Sequence, residues 1–300
     1  MNPQRRFPGL VCLLALAIPL LAGPVDAEVG CVHVASGPSD GYIFSIQEDP
    51  NPIPSLWTPV ATDVSIVRVV LNPDGAARGD GEPRMIDHPL TGTPIVVWSR
   101  NANPGYDVVV SRFVDGAWTE PVIVVGTPED ELDPFVTVDP ADGSVHVVYW
   151  VADGTPSPTM RVWHVQAPAD LSLWSAPTAV SGAGELAARP SAVFHDGKLR
   201  VVYELQIGDW PPYHVAMASL VGGWLPEGIV GASYYDGPIW PEVYSSGNVL
   251  WVEWIDDVDS MAWIEQALGQ PWGPLGSEPY TTLEDRDFFA RGRIRSQALD

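Results

Sequence analysis

A tryptophan recurs five times along this chain, at Trp57, Trp118, Trp174, Trp224 and Trp272, each time where a loop ends and a fresh apolar run begins. Ahead of four of them a turn glycine opens a strand-like segment, and the segments align without gaps: Gly92-Thr-Pro-Ile-Val-Val-Trp98, Gly143-Ser-Val-His-Val-Val-Tyr149, Gly197-Lys-Leu-Arg-Val-Val-Tyr203 and Gly247-Asn-Val-Leu-Trp-Val-Glu253. Self-similarity at a period of roughly 50 residues means that one supersecondary unit is repeated and that each unit buries its faces against its neighbours. A helical repeat is excluded, because apolar positions alternate or run on for five to eight residues and are then cut by Gly, Pro, Asn or Asp. With 31 prolines and 28 glycines the chain is broken too often for helices.

Each unit reads as four short strands: a run that follows a proline, the strand after the turn glycine, a third apolar strand, and the run after the tryptophan. The third strand is seen in Asp107–Phe113, Met160–Val165, His214–Ala218 and Met261–Ile264, where valine and aromatic residues dominate as strands require. The first unit has Gly30-Cys-Val-His-Val-Ala35, Tyr42–Ile46 and Trp57 but no innermost strand. Ala290–Ser296 supplies one, since it aligns with Ala188–Phe194 of a complete unit. The expected fold is therefore all-β, a five-bladed β-propeller of four-stranded antiparallel blades, closed by a C-terminal strand that completes the first blade. Closure leaves no open edge strand to aggregate.

Residues 1–27 stand outside this pattern. Arg5 and Arg6 precede an apolar stretch from Leu10 to Ala22, and Val25-Asp26-Ala27 offers a cleavage site with small residues, which is a secretory signal peptide. Residues 28–300 then form a single propeller domain, secreted or periplasmic, with no apolar stretch long enough to span a bilayer. Loss of Cys12 with the signal leaves Cys31 without a partner, so disulfide stapling is excluded and the thiol is expected to be buried. The chain holds 38 acidic residues against 15 basic ones, and cleavage moves its net charge from −23 to −24 by removing Arg5, Arg6 and Asp26. Such acidity keeps a protein soluble and excludes nucleic acid as a partner, because phosphates would be repelled. A monomer is expected.

The string Leu132-Asp-Pro-Phe-Val-Thr-Val-Asp-Pro-Ala-Asp-Gly-Ser-Val-His-Val-Val-Tyr149, followed by Trp174-Ser-Ala-Pro-Thr-Ala-Val180, resembles a blade of secreted sialidase-like propellers built from bacterial neuraminidase repeats, and Trp118-Thr-Glu-Pro121 repeats its second half. The Asp-box hairpin of that family is eroded to Val114-Asp-Gly-Ala-Trp118. The resemblance implies an arginine cluster for a substrate carboxylate, a Tyr-Glu nucleophile pair and an acid/base aspartate. Arg78, Arg84, Arg189, Arg286 and Arg291 lie near the starts of inner strands and suit bidentate carboxylate binding, but they also suit pairing with the chain's own surplus of acids.

Five blades are similar as well to secreted arabinanase- and xylosidase-type glycoside hydrolases, in which carboxylates at the entries of inner strands do the chemistry. Equivalent positions here are Glu82-Pro83, Asp133-Pro134, Arg189-Pro190 and Trp240-Pro241. Glycosidic cleavage needs two carboxyl groups flanking the bond, so Glu82 and Asp133 are the candidate catalytic pair, with Glu185 reaching in where arginine replaces the third acid. Carboxylates also favour such turns for purely structural reasons.

Loops between the second and third strands, and between blades, gather on one face over the channel mouth. There Trp210, Tyr213, Tyr235, Asp236 and Trp240, with Arg189 and Arg291, are candidate ligand-binding residues. Aromatic rings cover the C–H faces of sugars while carboxylates take their hydroxyls, so a glycan or another extracellular surface partner is expected. Loop aromatics also plug gaps between blades, and the four repeat tryptophans after Trp57 are assigned to packing. Asp256, Asp257 and Asp259 form a cluster that could hold Ca2+ through oxygen ligands; no other cofactor is expected, since the histidines lack zinc spacing and no phosphate loop occurs. Two readings follow: binding through the acidic, aromatic face, or glycoside hydrolysis at the channel mouth.

Overall fold

The structure, a computed structural model, describes residues 32–36, 43–48, 66–72, 80–152, 159–208, 213–233, 239–257 and 260–279, with backbone alone for 32–36, 43–48, 66–69, 256–257 and 278–279. Every regular element among them is a strand. In the first unit β1 (Val32–Ser36), β2 (Ile43–Glu48) and β3 (Ile66–Val70) form a three-stranded antiparallel sheet. The second has β4 (Gly81–Asp87), β5 (Pro94–Asn101) and β6 (Tyr106–Val114), with β7 (Ala117–Trp118) and β8 (Val122–Val125) on the outer side of β6. The third runs β9 (Asp130–Val138), β10 (Val145–Ala152), β11 (Met160–Ala167) and β12 (Thr178–Ala179). The fourth runs β13 (Leu186–His195), β14 (Lys198–Gln206), β15 (Tyr213–Leu220) and β16 (Trp224–Ser233), and the fifth β17 (Glu242–Ser246), β18 (Val249–Asp257), β19 (Ser260–Ala267) and β20 (Gly276–Pro279).

The strands expected in the second to fifth units are thus present, and the first unit shows three strands among the described residues. Among the described residues, single parallel bridges, Tyr106 to Asp130 and Met160 to Leu186, are the only ladder contacts between the second, third and fourth units. The described strands do not close on themselves. The signal segment, Cys31, Trp57 and the expected closing strand at 290–296 lie outside the described residues.

Sheets so weakly joined by hydrogen bonds are held by their faces. One core unites Ile86, Ile95, Val97, Val108 and Val110 of the second unit with Val136, Val138, Val145, Val147 and Tyr149 of the third. A second core joins the third unit to the fourth through Val148 and Val162 against Ala192, Leu199 and Val201, and a third joins the fourth to the fifth through Val202, Val215 and Met217 against Ile239, Val252 and Trp254. Middle strands are covered on both faces, which is why β5 and β10 read as continuous valine runs. At about 1.5–3 kcal/mol for each fully buried large apolar side chain, this burial is the main force joining units. Trp174, Trp224 and Trp272 each pack on one of these cores, and Trp118 packs on a further cluster of Leu71, Met85, Val96, Trp98 and Val109, as expected of structural residues.

Each described inner strand is interrupted at the same place. In β4 the register skips Glu82 and Pro83 opposite Trp98, in β9 Asp133 and Pro134 opposite Tyr149, and in β13 Arg189 and Pro190 opposite Tyr203. Two residues facing one is a β-bulge, and proline fits there because no ladder donor is missed. The fifth unit follows the same rule: Ile255 N–H donates to Ile239 C=O and Glu242 pairs with Glu253, leaving Trp240 and Pro241 opposite Trp254. This register corrects the ungapped alignment by one residue, because the aromatic column is Trp98, Tyr149, Tyr203 and Trp254, not Glu253. The cause is the turn. Asp196 and Gly197 both take positive φ in the fourth unit, whereas in the Gly247-Asn248 turn only Gly247 does, so glycine moves to the first turn position. All four column residues are almost fully buried.

Polar locks supplement the cores. His88 at the end of β4 bonds Gly143 C=O in the next unit at 3.0 Å, and the equivalent His195 meets Ser245 of β17 at 2.8 Å. His146 Nδ1 and His164 Nε2 lie 2.9 Å apart in a stacked pair, enclosed by Phe194 and Trp224 from the fourth unit. Burial depresses both imidazoles, His146 to about 4 against the opposing pull of Asp139 and Asp142, and His164 to about 3 with help from His146. Two neutral imidazoles can share one hydrogen bond, and two imidazolium ions cannot.

Two outcomes follow. Because the unfolded histidines take up protons near pH 6.5 and the folded pair does so only near 4 and 3, the stabilising difference is complete above pH 6.5 and is lost as pH falls toward 4. Unfolding free energy should decline by up to about 1.4 kcal/mol per pH unit for each histidine in that window, and His164→Phe should flatten the decline, as read by urea titration from pH 7 to 4.5. Separately, a methyl group at Gly231 of β16 would lie 2.5 Å from the Trp254 ring. Gly231→Ala should cost about 1–3 kcal/mol by overpacking, with partial recovery in the double variant with Trp254→Phe, measured by thermal unfolding.

Candidate functional site

The four bulges place Glu82, Asp133, Arg189 and Trp240 at the same end of successive inner strands. All four take positive φ (59°, 45°, 51° and 35°), although they carry side chains and precede proline. Such a backbone costs on the order of 1–3 kcal/mol per residue, and it persists where surrounding structure enforces it. Here the enforcing parts are the buried proline that follows and the buried aromatic opposite. The bulge re-aims the side chain, as bulges beside functional sites do.

These side chains meet one another. Glu82 Oε2 accepts from the Asp133 backbone N–H at 2.7 Å and from the Ser99 hydroxyl at 3.1 Å. Asp133 Oδ2 accepts from the Trp150 indole N–H at 2.8 Å. Arg189 donates to Glu204 Oε1 at 2.9 Å and lies over the Trp240 ring, 5.6 Å from its centroid. Glu204 Oε2 in turn accepts from Ile239 N–H at 2.9 Å, tying the fourth unit to the fifth. Ser99, Trp150 and Glu204 occupy one repeat position, on the middle strand just past the aromatic column, so Glu82, Asp133 and Arg189 are each answered by the same position of their own sheet.

Two residues further along the inner strands another layer follows. Arg84 faces Glu242 at 4.0 Å and lies 5.8 Å from the Phe135 centroid, while Ser191 accepts from Val243 N–H at 3.1 Å. The Arg84–Glu242 pair connects the second unit to the fifth. Out on the rim, Arg100 pairs with Asp107 at 3.0 Å.

The electrostatics are those of crowded acids in a hollow. Glu82 is open to water on one side but surrounded by protein on the others; this burial, then the Asp133 carboxylate, pushes its pKa up to about 7 against the Asp133 amide and Ser99 hydroxyl. Glu204, 2% exposed, is raised by burial first, with Arg189 and the Ile239 amide opposing and Asp133 reinforcing. The Tyr213 phenol is raised by burial and then by Glu204, with Arg189 opposing, which sets it in the same group.

Of the residues singled out from sequence, Glu82, Asp133, Arg189, Tyr213 and Trp240 are therefore assembled together. Glu185 is turned back into its own loop, where it accepts from Gly182 N–H at 2.6 Å, and the acid beside Arg189 is Glu204. Glu131 is similarly engaged by Thr127. Trp210, Tyr235, Asp236, Asp259, Arg78, Arg286 and Arg291 lie outside the described residues, as do the side chains of Asp256 and Asp257. No group of three potential metal ligands occurs among the described residues. Sequence reasoning misses Glu204 and Trp150. Their signal is the position after the aromatic in each repeated strand, where a charge or an indole follows a valine run. A separate groove of about 500 Å³, lined by Asp142, Gln166, Leu173 and Trp174, lies by the β9–β10 turn, at the opposite ends of the strands from the bulges.

No family model matches the sequence, and no curated protein matches it. Solved structures do. The chain is similar to a Hadza microbial sialidase, with a TM-score of 0.56 and 16% identity over 77% of this chain and 53% of that one. It is similar to a leech intramolecular trans-sialidase, with a TM-score of 0.51 and 9% identity over 67% and 51%. A protein of unknown function from Dyadobacter fermentans gives 0.50 and 12% over 66% and 68%. The chain spans about half the length of the two sialidases, and at these identities the likeness is one of architecture: the fold is sialidase-like.

Proposed function

We propose that this protein is an exported five-bladed β-propeller that holds a glycan in the mouth formed by its bulged inner strands, without turning it over. Closure into a ring is supported by the Arg84–Glu242 pair, in which side chains of the first and last described inner strands approach to 4.0 Å. Export rests on the signal peptide at 1–27. Trp210, Tyr235 and Asp236 remain candidates for ligand binding from the sequence, and the acidic stretch of Asp256, Asp257 and Asp259 remains the candidate for calcium.

The observation that carries the binding reading is the juxtaposition of partly exposed rings, Trp150, Trp240 and Tyr213, with Glu82, Asp133 and Glu204 on four successive units. Rings that cover C–H faces beside acceptors for hydroxyls are the chemistry of sugar recognition. Binding is favoured over cleavage because the acids are already engaged: Glu82 by an amide and a hydroxyl, Asp133 by an indole, Glu204 by a guanidinium and an amide. One observation favours glycoside hydrolysis as the alternative reading. Glu82, raised to about 7 beside the Asp133 carboxylate, would supply the acid of a split carboxyl pair near neutral pH.

A glycan array with the exported protein tests the first reading. Trp240→Ala should weaken a retained glycan about tenfold or more, as loss of a stacking anchor does, and an unchanged profile would count against the mouth as the site. Release of reducing ends from the retained glycans separates the alternative: turnover by wild type that vanishes in Glu82→Gln, with binding kept, would establish hydrolysis. Asp133→Asn should lower the Glu82 pKa from about 7 while leaving it above the ordinary glutamate range, since burial is the larger cause and persists, as followed by carboxyl NMR titration.

A further inference from the structure

The charge partners in the mouth specify which sugars it takes. We infer that the site selects glycans lacking a carboxylate, and that Glu204, by holding Arg189, is the residue that sets this preference; the inference rests on the glycan-binding reading above. A sialidase takes a sugar whose ring bears a carboxylate, and a carboxylate is held by guanidiniums turned toward it in bidentate geometry. Among the described residues, Arg84, Arg100 and Arg189 at this end of the strands face acids of the protein instead, while Arg161, at the level of Asp107, donates to Ser181 C=O and lies over the Trp163 ring. Arg189 is bound to Glu204 at 2.9 Å, Arg100 to Asp107 at 3.0 Å, and Arg84 faces Glu242 at 4.0 Å.

The most enclosed of these is the decisive one. The Glu204 side chain is 3% exposed and is fixed on its other oxygen by Ile239 N–H, so it cannot swing aside, and Arg189, 24% exposed, lies over the Trp240 ring. A ligand carboxylate would have to draw Arg189 from a buried acid and leave that acid unpaired. It would also approach Glu82 and Asp133, which have no arginine partner among the described residues and which repel an anion. An uncharged sugar meets none of these penalties: its hydroxyls donate to the acids and its C–H face lies on Trp240 or Trp150. Discrimination by an unfavourable charge against the wrong ligand is a general device of specific sites.

The fold shared with sialidases therefore carries a mouth of opposite preference. The test is an array bearing uncharged, sialylated and uronic-acid-terminated oligosaccharides, probed with wild type and Glu204→Gln. Wild type should retain uncharged glycans only. Glu204→Gln keeps an acceptor for Ile239 N–H while releasing the Arg189 guanidinium, and it should gain sialylated or uronic-acid glycans by about tenfold or more over wild type. Wild-type retention of the acidic glycans would overturn the inference while leaving the glycan reading in place. No retained glycan of any kind would overturn both. A Glu204→Gln protein that melts as wild type does and still rejects acidic glycans would remove Glu204 from the selection. Should that variant fail to fold, Arg189→Gln/Glu204→Gln, which removes the pair together, should still reject acidic glycans, and their retention would likewise overturn the assignment.

Discussion

The constraint on which the rest of this structure depends is the placing of two residues against one at the head of each inner strand. Proline makes it possible, because it forgoes the backbone donor that a bulge would leave unmet. A buried aromatic on the middle strand makes it obligatory, since Trp98, Tyr149, Tyr203 and Trp254 fill the space that the skipped ladder position opens. The residue before proline is then held at positive φ against its own preference and faces inward. Remove the aromatic or the proline, and the strained conformation loses the contacts that offset its cost.

Around these bulges the sheets are held by face packing more than by hydrogen bonds. The valine runs of the middle strands belong to cores on both sides, so each unit is stable only with its neighbours in place. The histidine contacts add direction to this packing. His88 and His195 repeat the same reach into the next unit, and the His146–His164 pair sits where the third and fourth units meet. Polar groups buried between sheets specify relative position, because a shifted interface would leave them unbonded.

Strand order and approximate extent in the described units are legible from the sequence because glycine turns and apolar runs are local signals. The four positions before proline are legible too, since an X-Pro pair at the entry of each repeat is a visible mark. The one-residue offset in the last unit is not. A glycine at either central position of a two-residue turn gives nearly the same string, yet the two placements differ by one residue in register. Glu204 and Trp150 are hidden for a related reason. They follow buried aromatics in runs that read as pure core, and only the bulge opposite turns their neighbours to meet them. Glu185 draws notice because it stands in a loop, yet a loop acid three residues from a glycine amide is well placed to bond its own backbone.

The four pre-proline residues are glutamate, aspartate, arginine and tryptophan on one backbone geometry. Their shape is set by what lies behind them, and their chemistry is left to the side chain in front. Exchange of one functional group for another at these positions leaves the cores between sheets untouched. This set of positions thus resembles a socket with interchangeable contacts, in which a lineage can acquire or lose an activity by single substitutions while the scaffold goes on folding as before. A sialidase-like architecture whose third pre-proline residue, Arg189, is matched to the chain's own Glu204 is one setting of that socket.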